Sequence, residues 1–209
     1  MNTPLRLTVT MLDTYVHGMA NEDLSSEQLA YTLFKPIKPT QAMKVGSAFH
    51  KMLERATTLS STQYHKSYEF ILPDDLDGTI ELGNVREQKY QWQIFDDVLL
   101  VGKIDAETAV KVIDHKLTFR FDHERYMDSM QWRAYLAMRQ KTHFSYQVFE
   151  HSGLPDTPNL LGNYPVFIKD YHQLDQYAYA GMQDDVKDIV HDLASFARDW
   201  MPIIQGAAP

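Results

Sequence analysis

From Gln41 to about Thr57 the apolar residues Val45, Ala48, Phe49, Met52 and Leu53 recur at helical spacing, which predicts an amphipathic helix with one buried stripe. Upstream, Thr8–His17 and Ser25–Phe34 read as short helices. The second is introduced by a serine pair with Glu27 and Gln28 in its first turn and is stopped before Pro36. Downstream the period changes to two. Segments at about Tyr68–Leu72, Val85–Phe95, Val98–Ala106 and Ala109–Leu117 are alternating and rich in β-branched and aromatic residues, predicting a mainly antiparallel meander with tight connections at Asp96-Asp97 and Glu107-Thr108. A helix is expected from about His123 to Gln140, then a strand at Phe144–Glu150, a loop rich in Pro, Gly and Asn, a strand at Pro165–Tyr171, and a final helix over about Leu174–Met201. This αβββαβ order predicts an α+β fold, a central mixed β-sheet flanked by helices. No repeat or linker interrupts it, so residues 1–209 are expected to form one domain, with N-terminal helices in 1–40, a motif core at about 41–151, and a C-terminal strand and helix in 164–201.

The strand pair at 98–117 carries the chemistry. In Asp114-His-Lys116 the period of two sends Asp114 and Lys116 to one face and Ile113 and His115 to the other. If the two strands pair as a hairpin, Asp105 converges on Asp114, two carboxylates can hold a hard divalent cation, and the lysine can position a water or offset charge growing on a scissile phosphate. An acidic residue two before a lysine also occurs at Glu87-Gln-Lys89 and Asp185-Val-Lys187. Asp185 lies in a helical stretch and Glu87 in a polar segment, so only Asp114 has the apolar frame. An ordinary hairpin would also place aspartates at its turn and strand edges.

Composition narrows the chemistry further. At 44% hydrophobic and 12% aromatic residues the chain is globular, and the absence of cysteine excludes disulfides, thiol catalysis, thiolate zinc sites and iron–sulfur clusters. Any metal must therefore sit on Asp, Glu, His or carbonyl oxygen. No basic leader precedes a long apolar run and no segment approaches membrane-spanning length, so a cytoplasmic protein without a membrane partner is expected. The net charge of -8 argues against a protein that coats nucleic acid non-specifically, but it leaves room for a local basic groove. Candidates for that groove are Lys103, Lys111, Arg120, Arg125, Arg133, Arg139 and Lys141, with an ordinary solvated surface as the alternative.

Two helical pairs flank the strands. Gly46, His50 and Glu54 share a stripe away from Phe49 and Leu53, where a small residue permits close approach and an imidazole can add a nitrogen ligand that suits manganese as well as magnesium. Gln131 and Tyr135 are also four apart: Gln131 can fix a phosphate, a base or a metal-bound water, and Tyr135 can hydrogen-bond the same region or pack beneath it. Gly46-x-x-x-His50, Gly102-x-Ile-Asp105, Asp114-x-Lys116 and Gln131-x-x-x-Tyr135 together resemble, in order and spacing, the motif series of RecB-like nucleases in the PD-(D/E)XK superfamily. Among its branches the chain is most similar to stand-alone phage-type exonucleases of the RecE and lambda exonuclease kind. The resemblance spans residues 46–135.

The resemblance implies a restriction-endonuclease-like core in which His50, Asp105 and Asp114 are metal ligands, with the backbone carbonyl of His115 as a further one and Lys116 as the catalytic lysine. It gives Gln131 and Tyr135 the task of orienting DNA or the active-site shell and offers Glu87 as an extra acidic residue; Arg133 and Lys103, from the basic cluster, join them as substrate-binding candidates. Asp114 stands where many relatives have glutamate, which shortens the ligand's reach, and the missing cysteines set the chain apart from the cluster-bearing branches. The expected activity is Mg²⁺- or Mn²⁺-dependent exonuclease cleavage of DNA, acting from double-stranded ends in recombination or phage replication. A single-strand annealing or recombination protein would be a partner, a ring-shaped homo-oligomer the working form, and the cytoplasm of a bacterial or phage-infected cell the location. The rival readings are a structure-specific or single-strand endonuclease with the same site, and a non-catalytic DNA-binding or assembly protein on this fold.

Overall fold

The computed structural model describes residues 3–76, 79–154 and 156–206; Pro155, in the loop expected after the 144–150 strand, lies outside the described residues. The chain opens with β1 (Leu5–Thr8), α1 (Val9–Ala20), α2 (Ser26–Phe34) and α3 (Gln41–Arg55). Five strands follow, β2 (Thr62–His65), β3 (Tyr68–Ile71), β4 (Val85–Phe95), β5 (Val98–Glu107) and β6 (Lys111–Thr118). The rest is α4 (His123–Asp128), α5 (Met130–Arg139), β7 (His143–His151), β8 (Tyr164–Tyr177) and α6 (Met182–Gly206).

Helix starts follow local chemistry: Thr8, Ser25 and Thr40 each accept a hydrogen bond from the backbone N–H three residues on, and Gln28 Oε1 accepts from the Ser25 N–H to close a capping box. The strands form one eight-stranded mixed sheet in the order β1-β5-β6-β7-β8-β3-β2, with β4 also on β5. On one face α1, α5 and α6 bury Leu12, Leu136, Val190 and Leu193 against Leu100, Phe144 and Tyr146. On the other, α3 seats Val45, Ala48, Phe49, Met52 and Leu53, the residues of the predicted stripe, against Phe70, Phe149 and Val166. The architecture is thus the α+β arrangement with a restriction-endonuclease-like core. No helix among the described residues is long and apolar enough to cross a membrane.

The sheet forks at β5. Along one edge β4 runs antiparallel from Val85, opposite Glu107, to Phe95, opposite Val98. The other edge has two partners: β1 pairs in parallel with Val98–Val101, and β6 pairs antiparallel with only Ala106 and Glu107. Gly102 to Asp105 therefore face neither strand. Beyond the fork β6 leaves β5 and runs parallel to β7 over its whole length, from Lys111 opposite His143 to Thr118 opposite Glu150. Only β4, β5 and β6 form the expected meander.

Three sequence expectations change. The single helix over 123–140 is two, because Ser129 leaves helical geometry (ψ 136°) and caps α5, with Asp13 of α1 accepting from Ser129 Oγ at 2.7 Å and from the Met130 N–H at 2.5 Å. The final helix begins at Met182 rather than near Leu174, because Leu174–Tyr177 complete β8 against Tyr146–His143 of β7 and Gly181 (φ +89°) makes the turn into α6. Strands β1 and β2, four residues each, went unrecognised; so short a run becomes a strand only through its neighbour.

A buried charge cluster locks the far end of β5 to α5. Glu107, 4% exposed, accepts from Arg139 Nε and Nη2 at 3.0 Å and from Tyr90 Oη at 2.8 Å, with Lys141 Nζ at 3.1 Å. Burial alone would raise the Glu107 pKa, but the hydrogen bonds from Arg139, Tyr90 and Lys141 hold it down at about 2. A depressed carboxylate pKa stabilises the fold above the unfolded-state value, and that stability is lost as pH falls toward about 2. Glu107→Gln should therefore lower stability at neutral pH by about 3 kcal/mol, measured by urea denaturation, since it leaves two cations facing a neutral group. The gap from wild type should shrink as pH falls from about 4.5 toward 2; a gap independent of pH would rule out the ionised carboxylate as its source.

Candidate active site

A cavity of about 470 Å³ opens at the fork. Gly102, Lys103 and Asp105 line it from β5, Asp114 and Lys116 from β6, His50 from α3, and Gln131 and Tyr135 from α5. Each of the four motifs thus contributes to one place, although Gly46 of the first stays outside it and the elements come from both faces of the sheet.

The fork's freed polar groups are satisfied from outside the ladder. Tyr135 Oη donates to the Lys103 carbonyl at 2.7 Å, and the His115 N–H donates to Asp105 Oδ2 at 3.0 Å. Tyr135 can press this close only because residue 102 is glycine: a Cβ there would stand 2.5 Å from Tyr135 Cε1 and 2.9 Å from Val9 Cγ2. The tyrosine is buried, and burial raises its pKa above the ordinary phenol range, so it is a neutral donor.

Asp105 Oδ1 lies 3.1 Å from His50 Nδ1. Glu87 joins them, with ligand atoms of His50, Glu87 and Asp105 all within 4.8 Å of one another. Glu87 stands in β4 between Arg86 (opposite Ala106) and Gln88 (opposite Ile104), hence across from Asp105, and its φ of +55° is a left-handed conformation that is strained for a residue with a Cβ. Its carboxylate is ion-paired to Lys103, with Lys51 Nζ at 3.7 Å. One imidazole nitrogen and two carboxylates suit Mg²⁺ or Mn²⁺. A separation of 3.1 Å is also close to that of adjacent ligands on an octahedral ion with bonds of about 2.1 Å.

Asp114 lies beside this trio with both oxygens engaged. Gln131 Nε2 donates to its Oδ1 at 3.1 Å, and Lys116 Nζ stands 2.8 Å from its Oδ2 and 2.9 Å from Gln131 Oε1. The side-chain amide of Gln131 thus holds carboxylate and ammonium together. The break at Ser129 makes this possible by capping α5 two residues before Gln131. Burial pushes the Asp114 carboxyl up to about 6; the Lys116 ammonium opposes the shift and the Asp105 charge adds to it. Burial works against the Lys116 ammonium too, but the charges of Asp114 and Asp105 outweigh it and keep the lysine above its ordinary value. In Asp105 the pull of burial toward the neutral form is overcome by the His50 hydrogen bond, and its pKa falls.

The expected residues separate accordingly. His50, Asp105, Asp114, Lys116, Gln131 and Lys103 reach the cavity; the grouping nearest to a ligand set is His50, Glu87 and Asp105, with Glu87 in the place expected for Asp114. His115 makes its contact with Asp105 through its N–H. Its ring points away to the Glu81 carbonyl at 3.1 Å and is buried, which pushes its pKa down to about 4. Tyr135 forms the cavity floor, tied to the backbone. Arg133 is not in the cavity: its Nη1 donates to the Asp128 and Ser129 carbonyls at 2.8 and 3.0 Å and its guanidinium stacks on Trp132. Lys111 pairs with Glu81, and Arg139 and Lys141 with Glu107, so most of the expected basic groove is engaged internally. No atom lies within 4 Å of a Cβ built on Gly46, so no neighbour approaches closely there. The sequence reading missed Arg6 and Lys89, which line the cavity from β1 and β4. For Arg6 the signal was hidden by the unrecognised strand; for Lys89 it stood in the Glu87-x-Lys89 triplet that was set aside.

A second grouping, Glu150, Asp170 and His172, lies on β7 and β8. There Lys169 Nζ already neutralises Glu150 at 2.9 Å, and the His172 ring stacks on Phe121 at 3.9 Å.

No family model and no curated protein sequence matches the chain. Solved structures do. The chain is similar to an alkaline exonuclease (LHK-Exo) from Laribacter hongkongensis, with 10% identity, a TM-score of 0.50, and coverage of 97% of this chain and 93% of that one. It is also similar to a protein from Eubacterium rectale that is named provisionally as an exonuclease, with 11% identity, a TM-score of 0.54, and coverage of 98% and 83%. At these identities the likeness is one of fold alone.

The two motif glycines should respond to substitution in opposite ways. Gly102→Ala must displace Tyr135 or Val9 and should destabilise by about 1–3 kcal/mol. Gly46→Ala adds a methyl in open space inside α3 and should stabilise by about 0.5–1 kcal/mol. Urea midpoints decide; an equal loss at both positions would refute close packing as the reason for Gly102.

Proposed function

We propose that the chain is a divalent-metal-dependent deoxyribonuclease that hydrolyses phosphodiester bonds. The observation that carries this reading is the convergence of His50, Glu87 and Asp105 beside a lysine held between Asp114 and Gln131. The likeness of the fold to exonuclease structures supports it. A cation held by His50, Glu87 and Asp105, with Asp114 alongside, would supply Lewis-acid stabilisation of charge on the phosphate.

The chain's own residues do the rest. Asp114 and Gln131 fix the Lys116 ammonium, which can hydrogen-bond an attacking water or a non-bridging phosphate oxygen and offset the negative charge that grows there. Lys103, paired with Glu87 and lining the cavity, would be available to the backbone of the DNA if a cation took its place at that carboxylate.

At the finer level we read the enzyme as an exonuclease that works from duplex ends in recombination or phage replication. It would act with a single-strand annealing or recombination partner as a ring-shaped oligomer, since the chain's net charge of -8 leaves one subunit little grip on a duplex. Chelation should abolish cleavage and Mg²⁺ or Mn²⁺ should restore it. Lys116→Ala should remain folded and cleave at least about a hundredfold more slowly. Lys187→Ala, which removes an exposed partner of Asp184, should be nearly silent. Wild-type turnover by Lys116→Ala, or in excess chelator, would refute the nuclease reading. Linear DNA should be degraded and covalently closed circles left intact; circles cut at the same rate would make the enzyme an endonuclease.

A further inference from the structure

Two cavities meet at Lys116. Beside the 470 Å³ space at the fork lies a second of about 390 Å³, between α1 and the α4–α5 corner, and Thr10, Lys116 and Gln131 stand in the walls of both. The Lys116–Gln131 pair is thus a saddle with a chamber on either side. Each chamber falls in the range of about 300–1,000 Å³ that holds a small ligand.

The chambers carry cations of their own. Arg6 and Lys89 line the first and Arg125 the second, all three exposed, and none of them has an ion-pair partner among the described residues. This contrasts with Lys103, Lys111, Arg139 and Lys141 nearby, which are all paired. The one carboxylate in the second chamber, Asp13, is satisfied by Ser129 Oγ and the Met130 N–H at the start of α5, which lessens its repulsion of an anion. Around the second chamber Thr14, Thr118 and Tyr126 add hydroxyl groups.

We propose that the two chambers seat the nucleotides on either side of the scissile phosphate, which lies over Lys116, with Arg6 and Lys89 holding the backbone phosphate on one side and Arg125 the one on the other. The substrate strand therefore extends at least one nucleotide past the cleaved bond on either side. This deepens the nuclease reading and rests on it.

The test is cleavage and binding of end-labelled DNA by wild type, Arg6→Ala/Lys89→Ala and Arg125→Ala, with Arg6→Gln and Arg125→Gln as variants that lose the charge but keep a polar side chain of intermediate length. Each loss should raise KM about tenfold with kcat within about twofold, and should reduce the salt dependence of binding by about one phosphate's worth per cation removed. Substrates carrying one neutral methylphosphonate 5′ or 3′ of the cleaved bond assign the sides: the Arg6/Lys89 variant should lose sensitivity to one position and the Arg125 variant to the other. Unchanged KM and salt slope in every variant, or loss of sensitivity at the same position in both, would overturn the two-chamber path while wild-type cleavage leaves the nuclease reading standing. A wild-type protein that neither binds nor cleaves DNA would overturn both.

Discussion

A β-strand has two edges, and β5 has three neighbours. Because β4 occupies one edge completely, β1 and β6 must divide the other, and Gly102–Asp105 are left between them. Main-chain groups freed inside a protein must find partners, and here they find them in functional side chains: Tyr135 for the Lys103 carbonyl, and Asp105 for the His115 N–H. The fork is therefore both a break in the ladder and the frame of the site. It also sets where Asp105 and Asp114 can meet, since the pairing of β5 with β6 ends at Ala106 and Ile113, one residue before each.

Charge is the second constraint. Asp105, Asp114 and Glu87 crowd together with their side chains largely buried, and each is matched by a cation or a hydrogen bond: His50 for Asp105, Lys116 for Asp114, Lys103 for Glu87. Removing one partner from such a group leaves a buried charge exposed to its like neighbours. A divalent cation held there would offset the same repulsion and compete with Lys103 for Glu87. The left-handed backbone of Glu87 fits this picture, since strain persists where the surroundings over-determine a geometry.

Most of this arrangement was legible where chemistry is local. The α3 stripe, the alternation at Asp114-x-Lys116 and the extents of β4 and β5 are set by periodicity, and the structure reproduces them. What could not be read was set by distant contacts. Ser129 breaks a helix because Asp13, more than a hundred residues away, caps the second half. Leu174–Tyr177 are extended because β7 lies beside them, and β1 exists because β5 does. Part of the site was hidden for the same reason. Arg133 is turned to the Asp128 and Ser129 carbonyls, Tyr135 lines the cavity from its tie to the Lys103 carbonyl, and Arg6 and Lys89 arrive at the cavity only through strand pairing. The weight given to Asp114 over Glu87 as a ligand followed from the apolar frame of β6, which says nothing of what lies across from Asp105 on β4.

The claim on which the rest depends is that the fork assembles a cation site. Anomalous scattering from crystals grown with Mn²⁺ tests it directly. The predicted result is a peak bounded by His50, Glu87 and Asp105, with Asp114 adjacent, ligand distances of about 2.0–2.3 Å, and Lys103 withdrawn from Glu87. A peak at Glu150, Asp170 and His172 with none at the fork, or an intact Lys103–Glu87 pair at saturating Mn²⁺, would contradict it.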